Sequence, residues 1–390
     1  MADALTFQPD REFIREVMQS SGGDMKKCFQ CATCSSVCSL STEARPFPRQ
    51  QILEAQWGMG GRLMGDPAIW LCHDCGDCTA RCPRGAHPSE TMAAIRTAVI
   101  RRLAFPRFMG NVVAMRENGV LLLVLSALVL LAITVLPAPH PRIRPLIFAE
   151  MFPKARLEAL FFAASGLAVL ALSMSAMRFA ALLRSSGTDG PILPSLLPAL
   201  FEGIRHRRFS SCSTGRVRRA GHLFVLSAFL GLAVMGTVVG VGSMVGVIDT
   251  PIPILHPLKI FANLCALSLV TGAALLLWNR LANDEKRAES TFCDWYFLIL
   301  LGGAGVTGIL SEVLRLEQAE NWMFFVYYVH LTLVLTLILS SPYSKFVHFL
   351  YRTMAMAATW RETHSPGRGL AVTRGPDVVF PEDPGLHNVI

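Results

Sequence analysis

The sequence is short of charge. Only 16% of its 390 residues are Asp, Glu, Lys or Arg, 52% are hydrophobic, and the mean hydropathy is +0.43. A soluble domain carries about 25% charged residues, so an entirely soluble fold is excluded. The deficit is uneven. Residues 1–118 hold Arg, Asp, Glu and most of the cysteine, 119–355 hold long apolar runs, and 356–390 form a polar tail rich in Gly and Pro. Residues 1–27 lack the apolar core of a secretory signal, which argues against a secreted disulfide framework. The net charge of +8 sits largely beside the apolar runs, where membrane topology accounts for it. No nucleic-acid partner is therefore expected.

Eight of the eleven cysteines crowd into residues 28–82. The first run is Cys28-Phe-Gln-Cys31-Ala-Thr-Cys34-Ser-Ser-Val-Cys38, the second Cys72-His-Asp-Cys75-Gly-Asp-Cys78-Thr-Ala-Arg-Cys82-Pro83. Both follow C-x2-C-x2-C-x3-C, the bacterial-ferredoxin spacing, in which the fourth cysteine of each run ligates the other cluster. One [4Fe–4S] cubane is thus assigned to Cys28, Cys31, Cys34 and Cys82, and a second to Cys72, Cys75, Cys78 and Cys38. Zinc is the competing reading, but zinc takes paired C-x2-C knuckles with four ligands in all, fewer than two complete runs supply. Ser39 stands where a proline usually follows the first run. His73 and His87 read as solvated loop residues. Short helices are expected over 49–60 and 61–70, and a longer one over 89–104, opened by Pro88 and Ser89.

Six spans of about 20 residues fit a bilayer core: 119–136, 157–183, 221–247, 256–279, 292–314 and 323–344. Lys and Arg gather ahead of the first span, between the second and third, between the fourth and fifth, and after the sixth. By the positive-inside rule these segments share one side. The loop 137–156, with Arg142, Arg144, Lys154 and Arg156, is an exception. The expectation is a multi-pass protein of the cell inner membrane, with the N-terminal domain and C-terminal tail in the cytoplasm.

Ionisable residues inside spans are functional candidates by default. His222, His256, His330 and His348 lie in or at the ends of spans. His330 and His348 are 18 residues apart, which on one continuous helix is five turns and about 27 Å; Pro342 lies between them and kinks such a helix. The topology pairs His222 with His348 and His256 with His330 in depth, enough for two bis-histidine haems b. The alternative is that these histidines snorkel at the interface. Lys259 and Glu312 are candidates for a quinone site, which needs hydrogen-bond partners and a proton acceptor; alternatively Lys259 pairs with Glu312 or with a haem propionate. Asp294 and Trp295 could frame a site at the other side.

These residues carry a resemblance. The two cysteine runs with Trp70-Leu71-Cys72 resemble the iron–sulfur C subunit of heterodisulfide reductases. His256-Pro-Leu-Lys259, Asp294-Trp295, Thr307-Gly308-Ile309-Leu310-Ser311-Glu312 and His330 through His348 look like the haem-b membrane subunits of respiratory nitrate reductase and heterodisulfide reductase. Their fusion, over roughly residues 25–355, resembles the QmoC family, membrane subunits of quinone-interacting membrane-bound oxidoreductases. That resemblance implies QmoA- and QmoB-like flavin and iron–sulfur partners, menaquinone as the quinone, and adenylylsulfate (APS) reductase downstream. It departs from the nitrate-reductase pattern in placing His222 and His256 on separate spans. The expected fold is mainly α: an α-helical two-cluster ferredoxin-like domain fused to a six-helix haem-b bundle that relays electrons between quinol and a cytoplasmic flavoprotein. No two cysteines are adjacent, so the chain lacks the cysteine pair that heterodisulfide chemistry of its own would need. The rival readings are a haem-free membrane anchor or ion-translocating subunit, and an iron–sulfur redox sensor.

Overall fold

Helices are the only regular structure among the described residues of this computed structural model, which are 8–114, 116–135, 147–186, 192–205, 216–282 and 292–360. The expected tail beyond 360, the loop 137–146 and the histidines at 140, 206, 364 and 387 lie outside them. Contacts divide the chain into two units: Met1–Gly110 with Leu172–Thr214 and Phe346–Ile390, and Asn111–Ala171 with Gly215–Lys345. Hydropathy alone places the first boundary at 118 and does not separate 172–214 or 346–355 from the spans. The segments 172–186 and 192–205 join the first unit because Phe179, Leu183, Ile192 and Ala199 are buried in its core.

In the first unit, the helix Arg11–Ser20 starts at Asp10, whose carboxylate accepts the Phe13 N–H at 2.9 Å. This satisfies one of the donors left open at a helix start. Phe13 and Val17, one turn apart, are its buried stripe. The longest helix of the cysteine-bearing segment, Pro88–Leu103, has Pro88 in its first turn, where a missing N–H costs nothing. It is buried around most of its circumference, through Met92, Ile95, Arg96, Val99, Ile100 and Leu103, so the others pack around it. Helices at Arg49–Gln56, Gly60–Met64 and Ala68–Leu71 occupy the inter-motif segment.

Arg102, near the end of that central helix, bonds Asp10 and reaches Glu16 at 3.4 Å. Burial opposes ionisation of Asp10, but the Arg102 hydrogen bond, the Phe13 N–H and the Arg102 charge outweigh it and hold the pKa below the ordinary aspartate value. A depressed folded pKa means the unfolded chain binds the proton more readily. Stability from this group is therefore present above about pH 4 and is lost as pH falls through the lower folded value. Arg102→Ala is expected to destabilise the first unit by about 1–3 kcal/mol, read as a lower thermal midpoint at pH 7. The gap from wild type should narrow below about pH 4.

The second unit is built inside out. Leu128, Val169, Val234, Leu264, Trp278, Ile299 and Phe325 are each more than half exposed. Apolar exposure on this scale marks a face that water does not cover. Among the described residues, five helical stretches are long and apolar enough to cross a membrane: Lys154–Ser185, Arg216–Met244, Pro257–Leu281, Asp294–Leu316 and Trp322–Ala358, the last interrupted after Ser340; the first and last also contribute residues to the first unit. The first expected span is the helix Arg116–Val135, whose apolar part, Gly119–Thr134, is shorter than these five. Arg216–Met244 and Pro257–Leu281 meet backbone to backbone. A Cβ on Gly272 would stand 2.9 Å from the Gly221 carbonyl oxygen, and one on Gly221 would stand 2.9 Å from Leu276. Small residues permitting close approach are the usual basis of helix association in lipid.

The helical run through residue 348 is not continuous. Glu320–Ser340 ends in a 3₁₀ turn, Ser341–Tyr343, with Ser344 extended, and a new helix runs Val347–Ala358. Pro342 supplies no N–H and ends the ladder. The five-turn, same-face arithmetic for His330 and His348 therefore does not hold, and the two belong to different units.

Candidate metal centre

The two cysteine loops fold alike. Gln30 and Ala32 in the first, and Asp74 and Gly76 in the second, all have positive φ, at matching positions between the cysteines. Left-handed residues at those points coil the backbone tightly enough for three cysteines to border one cavity. A one-turn helix follows each loop, Thr33–Ser36 and Asp77–Ala80, and carries the third cysteine. These two short helices pack on each other.

The chain then crosses over. One cavity is lined by Cys28, Cys31, Cys34 and Cys82; the other by Cys38, Cys72, Cys75 and Cys78. Each set thus draws three cysteines from one run and the fourth from the other. N–H groups face the sulfurs: Ala86 N lies 3.3 Å from Cys82 Sγ and Asp74 N 3.5 Å from Cys72 Sγ, while the Gln30 amide donates to Cys28 Sγ at 3.5 Å. Such donors stabilise thiolate sulfur.

Burial raises the pKa of Cys34, Cys72 and Cys78, and for Cys34 and Cys78 the neighbouring cysteines push further in the same direction. Exposed Cys31 is instead lowered by Thr33. Buried thiols that resist losing their protons ionise when a cation sits among them. That donor set fits an iron–sulfur cube in each cavity.

His73 is not a solvated loop residue, and His87 is solvated only in part. His73 is buried, and Arg352 Nη2 donates to its Nδ1 at 3.0 Å. His87 is half-buried and pairs with Glu90, with Asp24 at 3.7 Å. Hydropathy could not show that Arg352, 280 residues beyond Cys72, also donates from Nη1 to the carbonyls of Trp70 (3.1 Å) and Cys72 (3.2 Å).

Of the membrane histidines, His330 is the best prepared for a metal. Its Nδ1 donates to the Ala304 carbonyl at 3.0 Å and lies 3.3 Å from Thr307 Oγ1. A protonated Nδ1 leaves the Nε2 lone pair free, the arrangement of a histidine ligand. Gly308 faces the ring: a Cβ there would lie 2.9 Å from Cε1. His256 has the opposite polarity. It caps Pro257–Leu281, its Nδ1 accepting the Leu258 N–H at 3.3 Å, so binding iron through Nε2 requires releasing that cap. His222 is half-buried in Arg216–Met244. His348 is half-buried on Val347–Ala358, with its ring 5.7 Å from Trp70.

Lys259 and Glu312 form an ion pair at 2.8 Å, and Asn263 donates to Glu312 at 3.4 Å. Asp294 is buried and paired with Lys345, with Arg280 at 3.9 Å. Arg280 also lies over Trp295, 5.5 Å from its centroid.

Residues 24–86 match the 4Fe-4S dicluster domain family. The chain is 36% identical over 75 residues to the C subunit of the H(2):CoB-CoM heterodisulfide,ferredoxin reductase of Methanothermobacter thermautotrophicus, covering 19% of this chain and 40% of the relative. It is 30% identical over 93 residues to a protein of Archaeoglobus profundus named as like the heterodisulfide reductase C subunit, covering 23% of this chain and 50% of the relative. Both matches span half or less of the relative's length. A longer similarity, 25% over 356 residues, covers 85% of this chain and 89% of citrate utilization protein B of Escherichia coli. No solved structure matches.

Proposed function

We propose that this chain, an iron–sulfur electron-transfer protein related to the heterodisulfide reductase C subunit, carries electrons between a membrane quinol and a cytoplasmic flavoprotein. In this reading Cys28, Cys31, Cys34 and Cys82 hold one [4Fe–4S] cluster, and Cys72, Cys75, Cys78 and Cys38 the other. His222, His256, His330 and His348 hold two haems b. The observation that carries the reading is the pairing of two four-cysteine cavities with five helices long and apolar enough to cross a membrane. Haem supplies one-electron chemistry, which splits the two-electron oxidation of a quinol. The protein sets the orientation of the His330 ring through Ala304 and Thr307.

Menaquinone as substrate, QmoA- and QmoB-like flavin subunits as partners, APS reductase as acceptor, and a cytoplasmic N-terminal domain on the inner membrane complete the proposal. They rest on the family resemblance and on the loop charges. A second reading keeps the relay and changes its end: the 356-residue match to citrate utilization protein B favours an acceptor outside sulfur metabolism. Identifying the flavoprotein that co-purifies with the chain separates the two.

The test of the relay uses the full chain, purified anaerobically in detergent. Iron, acid-labile sulfide and a bis-histidine haem b spectrum reducible by a menaquinol analogue are expected. Zinc in place of iron removes the clusters, and a spectrum without haem reduces the chain to an iron–sulfur membrane anchor.

Lys259 and Glu312 are the proposed quinone-site pair. Lys259→Met is expected to slow quinol-dependent haem reduction on the order of 10²-fold, the scale of one positioned proton-transfer group. Haem and iron content should be unchanged. A variant that keeps the wild-type rate would leave the pair as a structural ion bridge.

A further inference from the structure

The second cysteine loop is held from outside by a helix distant in sequence. Arg352, on Val347–Ala358, bridges the Trp70 and Cys72 carbonyls and the His73 ring. One turn earlier on that helix, His348 lies against Trp70. Tyr351 packs on the same indole at 4.8 Å and Phe179 at 5.9 Å. Trp70 and Tyr351 are fully buried. Arg352 itself is half-buried; a further guanidinium, the buried Arg96, reaches Asp74 at 3.4 Å and Cys72 Sγ at 3.9 Å.

The first loop is treated differently. Its nearest stacked cation, Arg84, lies over Phe29, 4.1 Å from the centroid. Both are exposed, Phe29 by 67%. Arg49 borders that cavity, half-buried. Charges open to water are strongly screened, whereas a half-buried charge fixed by hydrogen bonds is screened less.

We propose that Arg352 is the positioning residue of the cluster held by Cys38, Cys72, Cys75 and Cys78, fixing its loop and raising its reduction potential relative to the same cluster without it. The proposal rests on the reading of the eight cysteines as two [4Fe–4S] sites. Adding one electron makes a thiolate-bound cluster more negative, and a fixed cation nearby favours that form; local charge and hydrogen bonding are established levers on such potentials. The planar fork of Arg352 meets two carbonyls and an imidazole at once, a geometry lysine cannot reproduce. The same helix carries His348, whose ring lies against Trp70, two residues before Cys72.

The test is an anaerobic redox titration followed by electron paramagnetic resonance, on the full chain purified in detergent. Wild type, Arg352→Gln and Arg352→Lys are compared, with iron and sulfide measured in each. In Arg352→Gln one cluster is expected to shift to lower potential while the other stays in place; in Arg352→Lys the same cluster shifts less. Unmoved midpoints, or equal shifts of both clusters, overturn the proposal. Should Arg352→Gln lose iron, Arg352→Lys decides: a shift confined to one cluster supports the role, and wild-type midpoints overturn it. Absence of two [4Fe–4S] signals in the wild type would sink the two-cluster reading itself, an outcome distinct from signals that are present and unmoved.

Discussion

Cys82→Ser is expected to remove the same cluster as Cys28→Ser, although Cys82 belongs to the other run. Cys38→Ser should likewise match Cys72→Ser. Each substitution is expected to lower non-haem iron and acid-labile sulfide by about half, since one of two cubanes is lost. The surviving resonance signal should be common to the two members of each crossed pair. The argument is geometric. Thr33–Ser36 and Asp77–Ala80 pack together, so the chain leaving each short helix reaches the neighbouring cavity, and Cys38 and Cys82 line each other's sites. Ligation within each run would instead make Cys82→Ser match Cys72→Ser, and that outcome would remove the crossed assignment. The Ala86 N–H also lies on Cys82 Sγ. It is a main-chain donor, so it survives side-chain changes at 86 and should keep the Cys82 ligand in place there.

The two cysteine loops were legible because short, fixed spacing dictates how the chain folds locally. Cysteines at fixed short intervals must wrap a loop, and the left-handed positions at Gln30, Ala32, Asp74 and Gly76 are how that loop closes. The Pro88–Leu103 helix was readable because Pro88 is suited to a first turn. Six spans were expected because lipid demands length and hydropathy together; among the described residues five stretches meet both, and Gly119–Thr134 is shorter.

What stayed hidden depends on contacts between distant segments. The role of Arg352 as a clamp on Cys72 has no local signal, since a lone arginine after an apolar run reads as an interfacial charge. The burial of His73 follows from that same clamp. His256 looked like His330 in sequence, yet one accepts through Nδ1 as a helix cap and the other donates through Nδ1 to a carbonyl. Only tertiary placement sets that difference. Pro342 was visible as a perturbation, but whether it bends a helix or ends one depends on what the next residues pack against; Val347 and Tyr351 are buried in the core of the first unit.

Gly308→Val is expected to strip the haem that His330→Ala strips, and to leave cluster iron and sulfide unchanged. The two residues face each other across neighbouring helices. A Cβ at 308 would already stand 2.9 Å from His330 Cε1 and 3.3 Å from Nδ1, and the branched side chain of valine extends further. The imidazole cannot retreat freely, because its Nδ1 is held by the Ala304 carbonyl at 3.0 Å. Moving the ring breaks the bond that fixes its tautomer, and with it the directed Nε2 lone pair. Losing either the ring or its orientation should therefore cost one of the two proposed haems, about half the haem measured as the pyridine haemochrome per mole of sulfide. Thr307→Val removes the longer contact on the ring, at 3.3 Å, along with the hydroxyl's bonds to the Gly303 and Ala304 carbonyls, but leaves the Ala304 carbonyl on Nδ1; it should retain both haems, with a shifted potential. A His330→Ala variant with its full haem complement would show that this histidine is a structural residue donating to Ala304. The membrane half of the relay would then have to rest on other ligands.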